Sequence, residues 1–457
     1  MITTKRARET AGYSMPGRRT RYLFIAILLA GLAGGGLYRW LLGDERYVYL
    51  TFDSEDTSTS MVVHPHARAT ARQAILYYDT TPRHGALDRY EHSRLGRFQE
   101  VAGVDRRFFF FSLEGLHPAT RYFFTAWDDR DGPTEEFSFR TLPDDDRPLR
   151  IVDGGDIGWR PLSASAMARV VANQDPDVIL LGGDLAYAQG SADRWWRWRF
   201  WFSTWRKMIR GSDGRLIPAI AAIGNHEVKS ADPSLRAQDR APFYFALFHQ
   251  NEDSRDYFVR RLGSNVALFC LDSGHVYSHE EQAGWLRSAL EDHEQVPFKV
   301  ALYHVPLYPS HRVFEGPLSV AGRTFWQPLF EQFGVRLSLE HHDHAQKRTY
   351  PIRGGRIDPV EGIVYVGDGA WGRGPRTVEA DRWYLAHAAA RRHIWRIDVT
   401  SREMHLTALD EDGAVFDDVT IVGAEGGRGS ERSRPSESGD RVRRVRQATA
   451  GIDVDGP

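Results

Sequence analysis

From residue 46 onward the chain alternates short apolar runs with polar turns that contain glycine or proline. Between residues 46 and 143 these runs, among them 108–111 and 122–127, have strand-like composition and no helical period. Several short strands at this spacing predict an all-β sandwich of about a hundred residues. The acidic, proline-containing segment 141–147 predicts the linker to a second domain, which we place at residues 147–423.

In the second domain, five apolar runs each end in side chains that can bind a metal. In chain order the runs lead to Asp156, to Asp184 with Tyr187, to Asn225 with His226, to His304, and to His342 with His344. Each motif alone is more often a helix cap, a turn or a core histidine than a ligand. Five in succession are different, because strands of an open α/β sheet bring their carboxyl ends to one crevice. The pattern predicts an α/β domain with a shared pocket, and ligands without thiolates suit iron, zinc or manganese.

One aromatic pattern and one histidine pattern are explained more simply by the fold than by a membrane contact or a metal site. Aromatic residues between 195 and 205 recur at helical period, which predicts a helix packed on the sheet, while Trp196, Phe200 and Trp201 fall outside that stripe. A second hypothesis is that this helix lies against a membrane. His64 and His66 have the spacing of metal ligands, but an exposed strand end is the favoured interpretation.

The two ends of the chain differ in composition from the domains. A basic segment, residues 1–21, precedes a largely uncharged stretch, residues 22–42, which is long enough to span a bilayer. The basic flank should stay in the cytoplasm, so the rest of the protein is expected outside it. A cleaved signal peptide, with its cleavage site near residues 33–35, is the alternative and would yield a secreted protein. The polar segment 424–457 is expected to be a disordered tail.

Net charge and cysteine content bear on the expected partners and on covalent cross-links. A formal net charge of -2 gives no indication of nucleic-acid binding, so no nucleic-acid partner is expected. The single cysteine, Cys270, lies in an apolar run and permits no internal disulfide.

The order and spacing of the five motifs resemble the metallophosphoesterase (calcineurin-like phosphoesterase) superfamily. Within it, the Gly-Asp-x-x-Tyr motif that ends at Tyr187 is similar to that of purple acid phosphatases. Residues 113–122 resemble the corner of a fibronectin type III module. The resemblance implies a four-layer α/β/β/α sandwich preceded by a fibronectin III-like β-sandwich. The uncharged stretch 22–42 adds a transmembrane helix at the N-terminus of this predicted architecture.

The resemblance also implies a division of the ligands between two metal ions. Asp156, Tyr187 and His344 would hold the first ion, Asn225, His304 and His342 the second, and Asp184 would bridge them. A tyrosinate favours Fe(III) at the first site, with Fe, Zn or Mn at the second. His226 would donate a proton or hydrogen bond to the substrate. His311 would be a second substrate-facing histidine, although a solvated loop residue is an equal alternative.

The sequence departs from the family pattern around the last motif. His341 stands where the family usually has glycine, Glu340 precedes it, and Gln346 and Lys347 replace the usual Tyr-Glu pair. His341 could shift the loop, crowd the second metal or compete as a ligand. The metal affinity of the second site is therefore the property that the sequence determines least.

These features favour a phosphomonoesterase that uses hydroxide supplied by two metals and acts outside the cytoplasm on a phosphate ester. A phosphodiesterase or nucleotide pyrophosphatase on the same scaffold is the second hypothesis. A non-catalytic surface binding protein is the third, and only His341 favours it. The sequence does not indicate an oligomeric state.

Overall fold

The computed structural model describes residues 46–423, except 159, 160, 209, 254 and 368. The predicted cytoplasmic segment, membrane anchor and tail therefore lie outside the described residues. Among the residues described, no helix is both long and apolar enough to cross a bilayer.

The first described domain is a two-sheet β-sandwich. Its strands are Val48–Thr51 (β1), Met61–Arg68 (β2), Ala74–Asp79 (β3), His92–Leu95 (β4), Arg97–Glu100 (β5), Arg106–Leu113 (β6), Arg121–Asp128 (β7), Gly132–Pro133 (β8) and Phe137–Arg140 (β9). One sheet has the order β1-β2-β6-β5, and the other has the order β4-β3-β7-β8, with β9 paired to β7. Alternate residues such as Phe109, Phe111 and Phe124 fill the core between the sheets. The backbone N–H of His117 donates to the Tyr122 hydroxyl at 2.9 Å, a hydrogen bond of the tyrosine-corner type.

The second domain contains two large mixed β-sheets and a two-stranded sheet. Its strands are Leu149–Gly154 (β10), Val178–Leu181 (β11), Ala219–Ala221 (β12), Phe258–Leu262 (β13), Val266–Cys270 (β14), Phe298–Leu302 (β15), Val335–Leu339 (β16), Gln346–Thr349 (β17), Ile352–Arg353 (β18), Arg356–Ile357 (β19), Val364–Gly367 (β20), Leu385–Ala389 (β21), Ile394–Val399 (β22), Glu403–Leu409 (β23) and Val415–Val422 (β24). The orders of the large sheets are β12-β11-β10-β22-β23-β24 and β13-β14-β15-β16-β20-β17-β21, and β18 and β19 form the two-stranded sheet. Strands β10, β11 and β12 are parallel to one another, as are β14, β15, β16 and β20.

Helices cover the outer faces of the two sheets. They are Pro161–Asn173 (α1), Trp195–Met208 (α2), Ala237–Arg240 (α3), Pro242–Leu247 (α4), His279–Asp292 (α5), Pro317–Phe325 (α6) and Gln327–Phe333 (α7). The facing sides of the sheets share one core, to which Leu180 and Leu302 contribute. The outer side of the first sheet packs on α1 and α2, and that of the second packs on α5 and α7. This arrangement is the four-layer α/β/β/α sandwich that the resemblance implied.

Helix α2 joins the two domains through aromatic contacts. Its Phe202 ring stacks on Tyr47 of the β-sandwich, with centroids 5.4 Å apart. The expectation that Trp201 lies outside the buried stripe is wrong, because it is 3% exposed and stacks on Trp205. The aromatic residues of α2 pack on the β-sandwich as well as on the sheet of their own domain. Helix α2 therefore buries a wider face than packing on the sheet alone requires.

The expectation of an exposed strand end at His64 and His66 is also wrong. Both side chains are buried, and the His66 ring meets Phe202 edge-on, with centroids 4.6 Å apart. His64 Nε2 shares a 2.7 Å hydrogen bond with the Thr51 hydroxyl. These histidines therefore pack in the domain interface, where burial lowers the pKa of both.

Candidate metal centre

Five strand ends supply the candidate ligands, and they come from both sheets. Asp156, Asp184 and Asn225 follow β10, β11 and β12 of one sheet, whereas His304 and His342 follow β15 and β16 of the other. Backbone contacts join the two sets, because the His342 N–H donates to Asp156 Oδ2 at 2.8 Å. The sequence predicted a crevice at the edge of one sheet, but the pocket lies where two facing sheets meet.

Three of the predicted ligands for the first metal converge on one point. The Tyr187 hydroxyl lies 2.9 Å from Asp156 Oδ1 and 2.9 Å from His344 Nε2. His344 Nε2 is also 2.9 Å from Asp156 Oδ1, so the three atoms form an equilateral triangle. A carboxylate, a phenol and an imidazole in this arrangement can serve as ligands of one cation.

The predicted second site lies beside Asp184. His304 Nε2 is 3.4 Å from Asp184 Oδ2 and 3.1 Å from His342 Nδ1. His304 Nδ1 donates to the Gly182 carbonyl at 2.8 Å, which leaves the Nε2 lone pair directed at the site. The buried Oδ1 atom of Asn225 has no hydrogen-bond partner, as expected for an atom that coordinates a metal.

The charges of the two sites require a cation or bound protons. Burial would raise the pKa of Asp156, but the neighbouring His344, His304 and His342 imidazoles outweigh it and hold that pKa far below its usual value. Burial lowers the pKa of His304, but the Asp184 carboxylate reverses the effect and raises it to about 9. Burial, together with the Asp156 and Asp184 carboxylates, raises the pKa of Tyr187 far above its usual value. Bound cations would replace these protons and allow the tyrosine to ionise.

Most of the ligands occupy a backbone conformation that is strained for residues other than glycine. Positive φ angles between 54° and 76° occur at five of the seven: Asp156, Asp184, Tyr187, His342 and His344. Such strain costs on the order of 1 kcal/mol or more per residue and persists where a site requires it. The strain therefore supports a functional role for this cluster independently of the side-chain distances.

Two glycines and one buried glutamate hold the ligand loops together. A Cβ on Gly224 would lie 2.3 Å from the Asp184 nitrogen, and one on Gly183 would lie 2.7 Å from the Gly224 nitrogen. The Glu227 carboxylate accepts hydrogen bonds from the backbone N–H groups of Asp184, Leu185 and Gly224 at 2.7, 2.9 and 3.0 Å. Sequence reasoning assigned no role to Glu227, although its place in the Asn-His-Glu motif was a usable signal.

His226 stands at the mouth of the pocket, beside the candidate ligands. Its Nε2 lies 3.7 Å from Asp184 Oδ2, and its ring stands over the Tyr187 ring with centroids 4.2 Å apart. Its Nδ1 contacts the Gln189 side chain. The imidazole is 30% exposed, so a substrate can reach it.

His311 lies in the adjoining loop and is not brought into the ligand cluster. Its backbone N–H donates to Asp343 Oδ2 at 2.8 Å, and its Nδ1 donates to the Thr377 carbonyl at 2.8 Å. The remaining ring nitrogen is its only side-chain group left for a substrate.

His341 packs against the base of the pocket. Its ring fills the space above Gly182, where an added Cβ would overlap the imidazole at 1.8 Å. Its Nε2 is 3.5 Å from Asp153 Oδ1, and the residue is 1% exposed. His341 thus belongs to the packing beneath the ligands, and the neighbouring ligands still converge.

The replacement at Lys347 has a partner in Glu340. The two side chains are fully buried and form an ion pair. Glu340 Oε1 also accepts hydrogen bonds from the Tyr303 hydroxyl at 2.6 Å and from the Leu307 N–H at 2.7 Å. Glu340 and Lys347 therefore depart from the family pattern as a complementary pair.

Arginines close to the ligands were missed by sequence reasoning. The Arg373 guanidinium lies 4.4 Å from the centroid of the Tyr187 ring. The Arg376 backbone N–H donates to the His344 carbonyl at 2.9 Å, and burial and the Arg312 charge lower the Arg376 pKa, while the nearby Asp156 carboxylate opposes them. Arg312 contacts Asp343 Oδ1 at 3.3 Å, between the two histidine ligands of that loop. Isolated arginines in loops carry no sequence signal, so only the fold reveals this positive rim.

Comparisons with known proteins agree with this geometry. Residues 151–346 match the family model of the calcineurin-like phosphoesterases. The chain is 28% identical over 273 residues to purple acid phosphatase 21 of Arabidopsis thaliana, which covers 56% of each chain. Over this region, which contains all seven candidate ligands, the chain is similar to the calcineurin-like phosphoesterases and, among them, to purple acid phosphatases.

Two solved structures have a fold similar to that of this chain. Purple acid phosphatase PPD1 from yellow lupin (Lupinus luteus) seeds has a TM-score of 0.69 at 17% identity, over 82% of this chain and 74% of that one. The structure of PhoD has a TM-score of 0.60 at 11% identity, over 87% of this chain and 94% of that one. The aligned region spans only 56% to 58% of the length of the first curated relatives.

Proposed function

We propose that this metallophosphoesterase hydrolyses phosphate monoesters outside the cytoplasm. The observation that supports this most strongly is the triangle of Asp156, Tyr187 and His344 atoms, each 2.9 Å from the other two. The adjoining Asp184, His304 and His342 group offers the ligands for a second cation. Two cations in such a site neutralise the phosphate charge and supply a nucleophile near neutral pH.

The donor types suggest which metals bind. Asp156, Tyr187 and His344 would hold Fe(III), because a phenolate oxygen is a hard anionic donor. Asn225, His304 and His342 would hold Fe, Zn or Mn, and Asp184 would lie between the two ions. Both sets consist of oxygen and nitrogen donors, and the orphaned Asn225 Oδ1 fits this assignment.

The residues around the ligands would position the substrate. His226 would donate a hydrogen bond to a phosphoryl oxygen or a proton to the leaving alkoxide, since its imidazole is accessible beside Asp184. Arg373 and Arg376 would attract the phosphate dianion, because guanidinium groups match its oxygens. Glu227 would keep the two ligand loops in register through its three backbone hydrogen bonds.

The cellular location is part of the proposal. Residues 22–42 would anchor the protein with residues 1–21 in the cytoplasm, so the membrane is a partner and both domains face outward. Cleavage of the same segment would release a secreted enzyme. Protease accessibility of the β-sandwich in intact cells tests this topology, and protection there would contradict it.

Phosphate release from an aryl phosphate monoester tests the activity. Removing metals with a chelator should abolish turnover, and readdition should restore it. The Asp184→Ala variant should lose at least about 100-fold in kcat/KM, because it removes a group on which the reacting centre depends. Asp193→Ala, at an exposed aspartate, is the matched control and should remain active. Equal activity in the two variants would contradict the proposal.

The same assay with an aryl phosphate diester distinguishes a phosphomonoesterase from the second hypothesis, a phosphodiesterase or nucleotide pyrophosphatase. Faster turnover of the diester or of a nucleotide pyrophosphate would assign the site to that chemistry. The hypothesis of an inert binding protein loses its one supporting feature, because His341 lies in the packing below the pocket. The fibronectin III-like identity proposed for the first domain does not depend on the outcome of these assays.

A further inference from the structure

A second group of potential metal ligands lies between the two domains. It consists of Asp53, in the loop after β1, and of His249 and Glu252, in the loop after α4. His249 Nε2 is 3.9 Å from Asp53 Oδ2 and 3.6 Å from Glu252 Oε1. The three donor atoms all lie within 4.8 Å of one another.

These distances are too long for hydrogen bonds, which join nitrogen and oxygen at about 2.7–3.2 Å. They are close to the separation of ligands around a tetrahedral zinc ion, about 3.4 Å for bonds of about 2.1 Å. His249 is 8% exposed, yet its Nε2 has no hydrogen-bond partner. A buried imidazole nitrogen directed between two carboxylates needs a partner, and a cation supplies it.

The surrounding residues hold the three ligands in position. The Ser112 hydroxyl donates to Asp53 Oδ2 at 2.5 Å, and the His249 ring stacks on Phe110 with centroids 4.0 Å apart. Arg97 donates to Glu252 Oε1 at 2.6 Å and so fixes the position of that carboxylate. Burial lowers the pKa of His249, which favours the neutral form that binds metals. The Glu252 side chain is 60% exposed, so water can complete the coordination.

We propose that Asp53, His249 and Glu252 bind a structural divalent cation of the zinc class. One imidazole and two carboxylates are suitable ligands for Zn²⁺. Because Asp53 belongs to the β-sandwich and the other ligands belong to the second domain, the ion connects the two domains. A cation bound only by the assembled interface also stabilises it through mass action. The proposal does not depend on the activity proposed above.

The test is a count of bound Zn²⁺ by equilibrium dialysis of the full chain. We expect His249→Gln to bind one ion fewer per chain than the wild type, with phosphatase activity unchanged. His117→Gln, at an exposed histidine of the β-sandwich, is the matched control and should bind as many ions as the wild type. Equal counts in all three proteins would overturn the proposal.

Two further measurements cover a variant that fails to fold. Asp53→Asn keeps the shape of the side chain that Ser112 contacts and should also bind one ion fewer. Crystals of the wild type soaked with Zn²⁺ should show an anomalous peak, collected at the zinc edge, between Asp53 and His249. A map without that peak would overturn the proposal even if the catalytic centre is loaded.

Discussion

At the scale of single residues, Tyr187 depends most on a bound cation. Its hydroxyl is buried between Asp156 and His344, and its pKa is raised by burial and by the carboxylates beside it. Only a cation of high charge makes its phenolate stable there. We predict that the iron-loaded protein is coloured, that Tyr187→Phe loses the visible band, and that His226→Ala keeps the band but loses turnover. A visible spectrum checks this, and colour that survives in Tyr187→Phe would remove Tyr187 from the first site.

The arginine rim makes a different prediction at the same scale. The Arg376 backbone N–H donates to the His344 carbonyl, which places the guanidinium beside the ligands, where burial lowers its pKa and the Asp156 carboxylate opposes that effect. The side chain can therefore contact a substrate phosphate without binding the metals. We expect Arg376→Ala to raise KM for a phosphate monoester about 10-fold, equivalent to about 1.4 kcal/mol, with a smaller change in kcat. Arg402→Ala, at an exposed arginine, is the control. A KM equal to that of the wild type would remove the Arg376 side chain from substrate binding, since the backbone hydrogen bond to His344 is kept in this variant.

At the scale of elements, the connection between β16 and β17 depends on the buried pair of Glu340 and Lys347. Removing the lysine leaves the Glu340 charge buried with only its hydrogen bonds from Tyr303 and Leu307. We expect Lys347→Met to lower the free energy of unfolding by about 3–5 kcal/mol. Urea unfolding measures this. Adding Glu340→Gln should recover part of the loss, whereas an equally unstable double variant would show that the methionine disrupts the packing itself.

Which elements could be predicted depends on whether their signal is local. The ligand turns were predictable because an apolar run, a glycine and a polar residue stand together in sequence. The assignment of β15 and β16 to a second sheet was not predictable, because the apolar sequence of a buried strand is the same whichever sheet contains it. The burial of His66 was also missed, since it depends on Phe202 of a distant helix. Arg373 was missed for the same reason, as its contact with Tyr187 joins separate loops.

At the scale of the whole molecule, the loop after β1 connects the two domains. The Arg261 N–H of β13 donates to the Glu55 carbonyl at 2.8 Å, and the Thr57 hydroxyl donates to the Arg261 carbonyl at 2.5 Å. The same loop carries Asp53 of the proposed zinc site. Contacts of this loop should therefore also stabilise the end of helix α5, because His293, which directly follows its last residue Asp292, contacts Glu55 of the loop.

The contact between His293 and Glu55 makes the interface sensitive to pH. His293 Nε2 is 2.8 Å from Glu55 Oε1, a hydrogen bond that raises the histidine pKa and lowers the Glu55 pKa. The pair therefore contributes fully between the unfolded-state pKa values, about 4.3 for glutamate and about 6.5 for histidine. Its contribution falls as pH rises through the higher folded pKa of His293, and also as pH falls through the lower folded pKa of Glu55. Because half of the Glu55 side chain is exposed, we expect less than about 1 kcal/mol.

Urea unfolding of the wild type and His293→Gln at two pH values measures this contribution. The stability difference between the two proteins should be larger at about pH 5.5 than at about pH 8.5, because only protonated His293 pairs with the carboxylate. The His117→Gln control should show no such dependence, since His117 is exposed and lies outside this contact. A difference that grows with pH would mean that His293 acts as a neutral donor, and the interface would then not weaken in alkaline solution.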